Sequence, residues 1–88
     1  MLEKDIEAAF VRRVKALGGT AEKFTSPNRR SVPDRMVMLP GGVVVFVELK
    51  APGKKPTEAQ ARDHNRRRAM GFVVNIIDNM RDAQNFGG

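Results

Sequence analysis

The 88-residue sequence has no cysteine, no tryptophan and no tyrosine, and it holds a single histidine. Without cysteine, neither a disulfide framework nor a thiolate-bound metal is available. One histidine excludes a zinc centre that needs two or more imidazoles from one chain. The missing Trp and Tyr leave few platforms for stacked bases, so a single-strand-binding surface is poorly supplied. No stretch approaches the roughly 18 apolar residues of a membrane-spanning helix, and no signal-peptide pattern opens the chain. A cytosolic location is the expectation. Repeats and low-complexity segments are absent as well.

What the chain has is positive charge. Sixteen Lys and Arg face ten acidic residues, for a net charge of +6 and a pI near 10.5. A basic domain of this size favours a polyanion, and nucleic acid is the commonest one; the bland alternative is a merely soluble basic protein. Residues 1–88 read as one domain with no internal boundary. So short a chain buries only about 60–65% of its unfolded surface, so oligomerisation would help it.

The sequence centres on a hairpin, Val32 to Lys50. Two apolar runs flank Pro40-Gly41-Gly42, a Gly-bearing hairpin turn. Centred on Gly41, the count pairs Leu39 with Val43 and Asp34 with Glu48. Opposed residues share a face with Cβ atoms about 4.5–5.5 Å apart, and the period of two adds Lys50 to the face of Glu48. A bulge at the glycines would shift this register by one. The run Val43 to Lys50 is apolar on both faces until Glu48, which predicts a central strand covered on both sides. A carboxylate inside such a run is paired with a base or bound to a metal. Lys50 supplies the plain ion pair, but it does not neutralise a second acid opposite.

Around the hairpin, Leu2 to Leu17 reads as a helix with Ile6, Phe10, Val14 and Leu17 on one stripe. Glu3 lies within about 25° of the stripe's centre and Glu7 about 65° away. Glu3 either complements the dipole in the first turn or joins the hairpin acids. Thr20 to Thr25 is a strand candidate at an edge, and Pro33 holds Val32 extended before Asp34. Between them, Arg29 and Arg30 in a polar loop suit phosphate contacts, unless the loop is only a solvated turn; Arg35, Lys54 and Lys55 are further candidates for nucleic-acid binding. Thr57 and Gln60 form a capping box opening a helix to about Met70. That helix carries Arg62, Arg66, Arg67 and Arg68 as a basic surface, and His64 is expected on its exposed side. Gln60 serves the cap alone or also the hairpin acids. Phe72 to Ile77 reads as another buried strand, parallel to the third because a helix joins them. Asp78 would cap a final helix reaching about Phe86.

If Glu3, Asp34 and Glu48 converge, their hard oxygens suit Mg²⁺ or Mn²⁺, with the Leu49 carbonyl as a fourth protein ligand. In a basic protein the substrate for such an ion is a phosphodiester. Lys50 would orient the attacking water or stabilise charge on phosphorus.

Pro33-Asp34 followed by Glu48-Leu49-Lys50 resembles the PD-(D/E)xK nuclease signature. The flanks narrow it: Lys23-Phe24-Thr25-Ser26-Pro27, Val32-Pro33-Asp34-Arg35, Gly41-Gly42, Phe46-Val47-Glu48-Leu49-Lys50-Ala51-Pro52-Gly53 and the later Gln60 resemble a VRR-NUC domain, from Glu3 to about Asp78. The resemblance implies a restriction-endonuclease-like α/β core, a small mixed sheet flanked by helices in the order αβββαβα. It implies that Asp34 and Glu48 bind the metal, that Lys50 is the catalytic lysine and that Gln60 belongs to the site. It also implies a first-helix acid, which Glu3 fits better than Glu7 by stripe geometry, with one helical turn left open. Short stand-alone members resemble Holliday-junction resolvases that act as homodimers. The implied function is a Mg²⁺- or Mn²⁺-dependent endonuclease on branched DNA, with no membrane and no small-molecule cofactor, in the host cytoplasm if phage-encoded. The alternative is a catalytically silent or non-selective nicking module of a phage recombination complex. Asn28 and Ser31 depart from the glycines of many relatives in the arginine loop.

Overall fold

The computed structural model describes all 88 residues, Met1–Gly88. Seven elements follow in the order α1 (Glu3–Ala16), β1 (Thr20–Lys23), β2 (Arg35–Leu39), β3 (Val43–Leu49), α2 (Glu58–Ala69), β4 (Val73–Ile77) and α3 (Met80–Gln84). This is the expected αβββαβα order. The four strands form one mixed sheet in the order β1-β2-β3-β4. β1 and β2 are antiparallel, as are β2 and β3, and β3 runs parallel to β4.

The hairpin register is the one counted from Gly41. Leu39 pairs with Val43 and Arg35 with Val47, so Asp34 stands opposite Glu48 just before β2. No bulge intervenes, because Gly41 and Gly42 take up the turn with φ of 87° and 77°. Side chains that cannot sit at positive φ would splay the strands there.

The strands' alternation divides the domain into two faces. Val37, Val45, Val47, Leu49 and Ile77 meet Ile6, Ala9, Phe10 and Val14 of α1, with Ala83 and Phe86, in one apolar core. Phe10 and Phe86 pack edge to face at 5.0 Å. The other face presents Phe46 and Glu48 to α2. The chain passes from α1 to β1 at Gly19, where a Cβ would meet the Met38 carbonyl at 2.5 Å. Only glycine allows that close approach.

Three expectations need correction. β4 is an edge strand rather than a fully buried one: Val74 and Ile77 are buried, while Phe72, Val73 and Ile76 are exposed. No fifth strand or helix covers its outer side. The final helix is shorter than expected, and its N-cap is Asn79, whose side chain accepts from the Asp82 amide, rather than Asp78. β1 ends at Lys23, since Phe24 already turns away while still bonding the Asp34 carbonyl through its amide.

Candidate active site

Glu48 is the penultimate residue of β3 and only 1% exposed. Asp34 is fixed beside it, because its Oδ2 accepts the Leu49 amide at 2.9 Å. Lys50 Nζ lies 3.6 Å from Glu48 Oε2. From α2, Gln60 Nε2 donates to the same oxygen at 3.3 Å. The hairpin and the start of α2 thus bring Asp34, Glu48, Lys50 and Gln60 together, as the sequence predicts.

Gln60 holds two jobs. Its Oε1 accepts the Thr57 amide at 2.9 Å, and its own amide donates to Thr57 Oγ1 at 3.1 Å. That capping box leaves only the side-chain Nε2 of Gln60 free to reach Glu48. The cap therefore fixes where α2 starts relative to the carboxylate.

Burial is the main cause that pushes the Glu48 carboxyl up, to about 7; the Asp34 charge adds to it, and Lys50 works the other way. A carboxyl taken out of water beside a second carboxylate resists ionisation.

His64 corrects an expectation. It is fully buried rather than on the exposed side of α2, and its Nε2 lies 3.6 Å from Glu48 Oε1. Burial first, then the charge of Arg68, lowers its pKa from the usual histidine value. One turn separates it from Gln60, so both face Glu48 from one side of the helix. The signal was the four-residue spacing alone.

The first-helix acids stand differently from the stripe geometry. Glu3 is exposed, whereas Glu7 is half-buried and binds Arg35 at 3.1 Å. Stripe angle takes no account of height along the axis, and the burial of α1 begins only at Ile6, after Glu3. Both acids line a cleft with Lys23, Phe24, Thr25 and Asp34. α1 packs on the sheet face opposite Glu48, so they approach the site around the sheet's end. No three Asp, Glu or His side chains lie together within reach of one ion.

The basic residues separate into two groups. Arg35 turns inward, donating to Glu7 and to the Ala21 carbonyl, and so is tied up within the fold. Arg67 is also buried: it donates to Asp63 at 2.8 Å, and its guanidinium lies 5.0 Å from the Phe24 ring and 4.8 Å from that of Phe46. Arg68 donates to the Val74 carbonyl. Burial works against ionisation of Asp63, yet the bonds from Arg67 and Arg66 hold its pKa below the usual carboxylate value. By contrast Arg29 and Arg30 share a cleft of about 270 Å³ with Arg62 and Arg66 of α2. Of these four only Arg66 is paired, to Asp63. A second cleft joins Arg29 and Arg30 to Asp34, so cationic surface runs up to the carboxylates. Lys54 and Lys55 are exposed in the loop between β3 and α2.

No protein-family model matches the chain. Among curated proteins, "Putative nuclease p44" of Acyrthosiphon pisum secondary endosymbiont phage 1 is 53% identical over 76 residues, which cover 86% of this chain and 82% of the relative. A solved structure described as "VRR_NUC domain" superposes with a TM-score of 0.88 at 34% identity, covering 92% of this chain and 88% of that one. At this identity and coverage, the chain belongs to the VRR_NUC nucleases.

Proposed function

We propose that the protein is a metal-dependent DNA endonuclease that acts as a homodimer on branched DNA. One observation carries the nuclease part of the reading: a buried carboxylate, Glu48, sits at the end of the central strand with Asp34, Lys50 and Gln60 around it. A lone ion pair would not need the second carboxylate, whose charge opposes ionisation of the first.

The donor set fits a small hard cation. Asp34, Glu48 and the Leu49 carbonyl offer oxygen only. Mg²⁺ is commonly held by one or two carboxylates and keeps several waters, so a third acid is not required. A cation held by these residues would offset the burial that chiefly raises the Glu48 pKa and the Asp34 charge that adds to it. Glu3, exposed across the cleft, is the first-helix acid free to turn toward it; Glu7 is engaged with Arg35. When bound, Mg²⁺ or Mn²⁺ would polarise a phosphoryl oxygen and lower the pKa of a coordinated water. Lys50 is placed to orient the attacking water or to stabilise charge developing on phosphorus. Gln60 keeps Glu48 Oε2 turned toward that side.

The arginine cleft supports a polyanion substrate. Guanidinium groups from a loop and a helix, facing one another beside the carboxylates, suit successive phosphates of a strand. The exposed Met70, Phe72, Val73 and Ile76 around edge strand β4 support a second copy as partner. Exposed apolar side chains on both faces of an edge strand mark an association surface on a small domain.

The test is cleavage of a labelled four-way junction and of its linear arms, with Mg²⁺, with EDTA and with Lys50→Ala. Paired symmetric nicks in the junction alone, lost in both controls, are the expected result. Nicks in every substrate would remove the branched-DNA preference. Tight binding without cleavage under any metal would leave a silent DNA-binding module.

A further inference from the structure

Three buried polar atoms next to the site have no hydrogen-bond partner: Glu48 Oε1 and both ring nitrogens of His64. Orphaned buried atoms are rare in folded proteins, and each one costs the desolvation of its group. Here all three belong to two side chains that face each other, with Nε2 3.6 Å from Oε1. A shift of less than an ångström turns that contact into a hydrogen bond. A neutral imidazole has one donor nitrogen, so the proton on Nε2 satisfies two of the three atoms at once. The other carboxylate oxygen is already engaged by Gln60 and Lys50.

We propose that His64 is a positioning residue for the nuclease site, an imidazole protonated at Nε2 that donates to Glu48 Oε1 and locks the plane of the carboxylate. α2 then grips Glu48 twice, through Gln60 on one oxygen and His64, one turn later, on the other. With Oε1 held by His64, Oε2 keeps its place beside Lys50, on the side where an ion would bind. Groups that orient a ligating carboxylate commonly change metal affinity by about 10–100-fold when removed. This inference rests on the reading above for its consequence, while the bond itself does not.

Two measurements test it. The first is long-range ¹⁵N NMR of the metal-free protein at pH 8, where Nε2 is expected to carry the proton and Nδ1 to be bare. Any other protonation pattern overturns the proposal. The second is calorimetric titration with Mn²⁺ in the absence of DNA, comparing wild type with His64→Gln, His64→Asn and His64→Leu. The Gln amide reaches the place of Nε2, whereas Asn offers its amide nearer to Nδ1. Gln is expected to keep the wild-type affinity within about threefold, and Asn and Leu to lose about tenfold or more. Equal affinity across folded variants overturns the positioning role. If the wild type itself binds no Mn²⁺, the metal reading of the site fails instead, and the ¹⁵N spectrum alone decides the His64–Glu48 bond. That spectrum also decides it if the variants do not fold.

Discussion

Replacing Glu48 by Gln separates what the site costs from what it does. The Glu48 pKa stands at about 7 in the folded protein, against 4.5 for the free side chain. The folded state therefore holds this proton more tightly than the unfolded state does. The sign follows from linkage: the contribution is fully present below about pH 4.5 and is lost as pH rises through about 7. At about 1.4 kcal/mol per pKa unit, the loss amounts to about 3 kcal/mol. Small domains have only about 5–15 kcal/mol in total. Gln has the same size and no charge, so its contribution does not change with pH. His64 runs the opposite way, because its pKa is lowered on folding, but it is present in both proteins. The assay is urea denaturation of wild type and Glu48→Gln in EDTA, from about pH 4.5 to pH 8. The variant is expected to gain about 3 kcal/mol on the wild type across that range. A gap that stays constant to within about 0.5 kcal/mol would refute the claim that Glu48 is held by burial and by Asp34 in a state that resists ionisation. Adding Mg²⁺ at pH 8 should restore stability to the wild type only, since an ion needs the ionised carboxylate.

Three further outcomes are expected. Lys50→Ala should lower cleavage by roughly 10² or more while junction binding, read by gel shift, stays within about twofold. Replacing Arg29 and Arg30 together by Ala should lower the slope of log affinity against log salt by about 2, because each phosphate contact releases about one counterion. Arg67→Met should destabilise the fold by about 3 kcal/mol in urea titration, since it leaves Asp63 buried with Arg66 alone; a loss below about 0.5 kcal/mol would show that the guanidinium between Phe24 and Phe46 is a spectator.

The features legible in the sequence are those written over short distances. The hairpin register follows from Gly41-Gly42 and the matched runs beside them, and it alone brings Asp34 to Glu48 and Lys50. The capping box reads directly from Thr57 and Gln60, and it proved to aim Gln60 at Glu48. What escaped depends on tertiary placement. The buried face of α2 is Asp63, His64 and Arg67, so no apolar period marks it, and a buried histidine looks like a surface one. Arg35 and Arg67 carry the same charge as Arg29 and Arg62, and only the neighbours Glu7, Phe24 and Phe46 show that they are used internally. β4 carries apolar residues on both faces, so its sequence does not show that Val73 on one face and Ile76 on the other are left exposed at the sheet's edge.

The two faces of the sheet divide stability from chemistry. On the α1 side an apolar cluster closes around Phe10, Val37, Val47 and Leu49, with no ionisable group among its members. On the α2 side the buried residues include Glu48, Asp63, His64 and Arg67, each tied to another charge or left unbonded. A helix that only covered the sheet would bury leucine and valine there, at lower cost in desolvation. The polar underside of α2 makes sense if its task is to hold Glu48 correctly turned at the expense of stability, a trade common at functional sites. Substitutions beneath α1 should then unfold the protein, whereas Glu48→Gln beneath α2 should stabilise it at neutral pH and silence it.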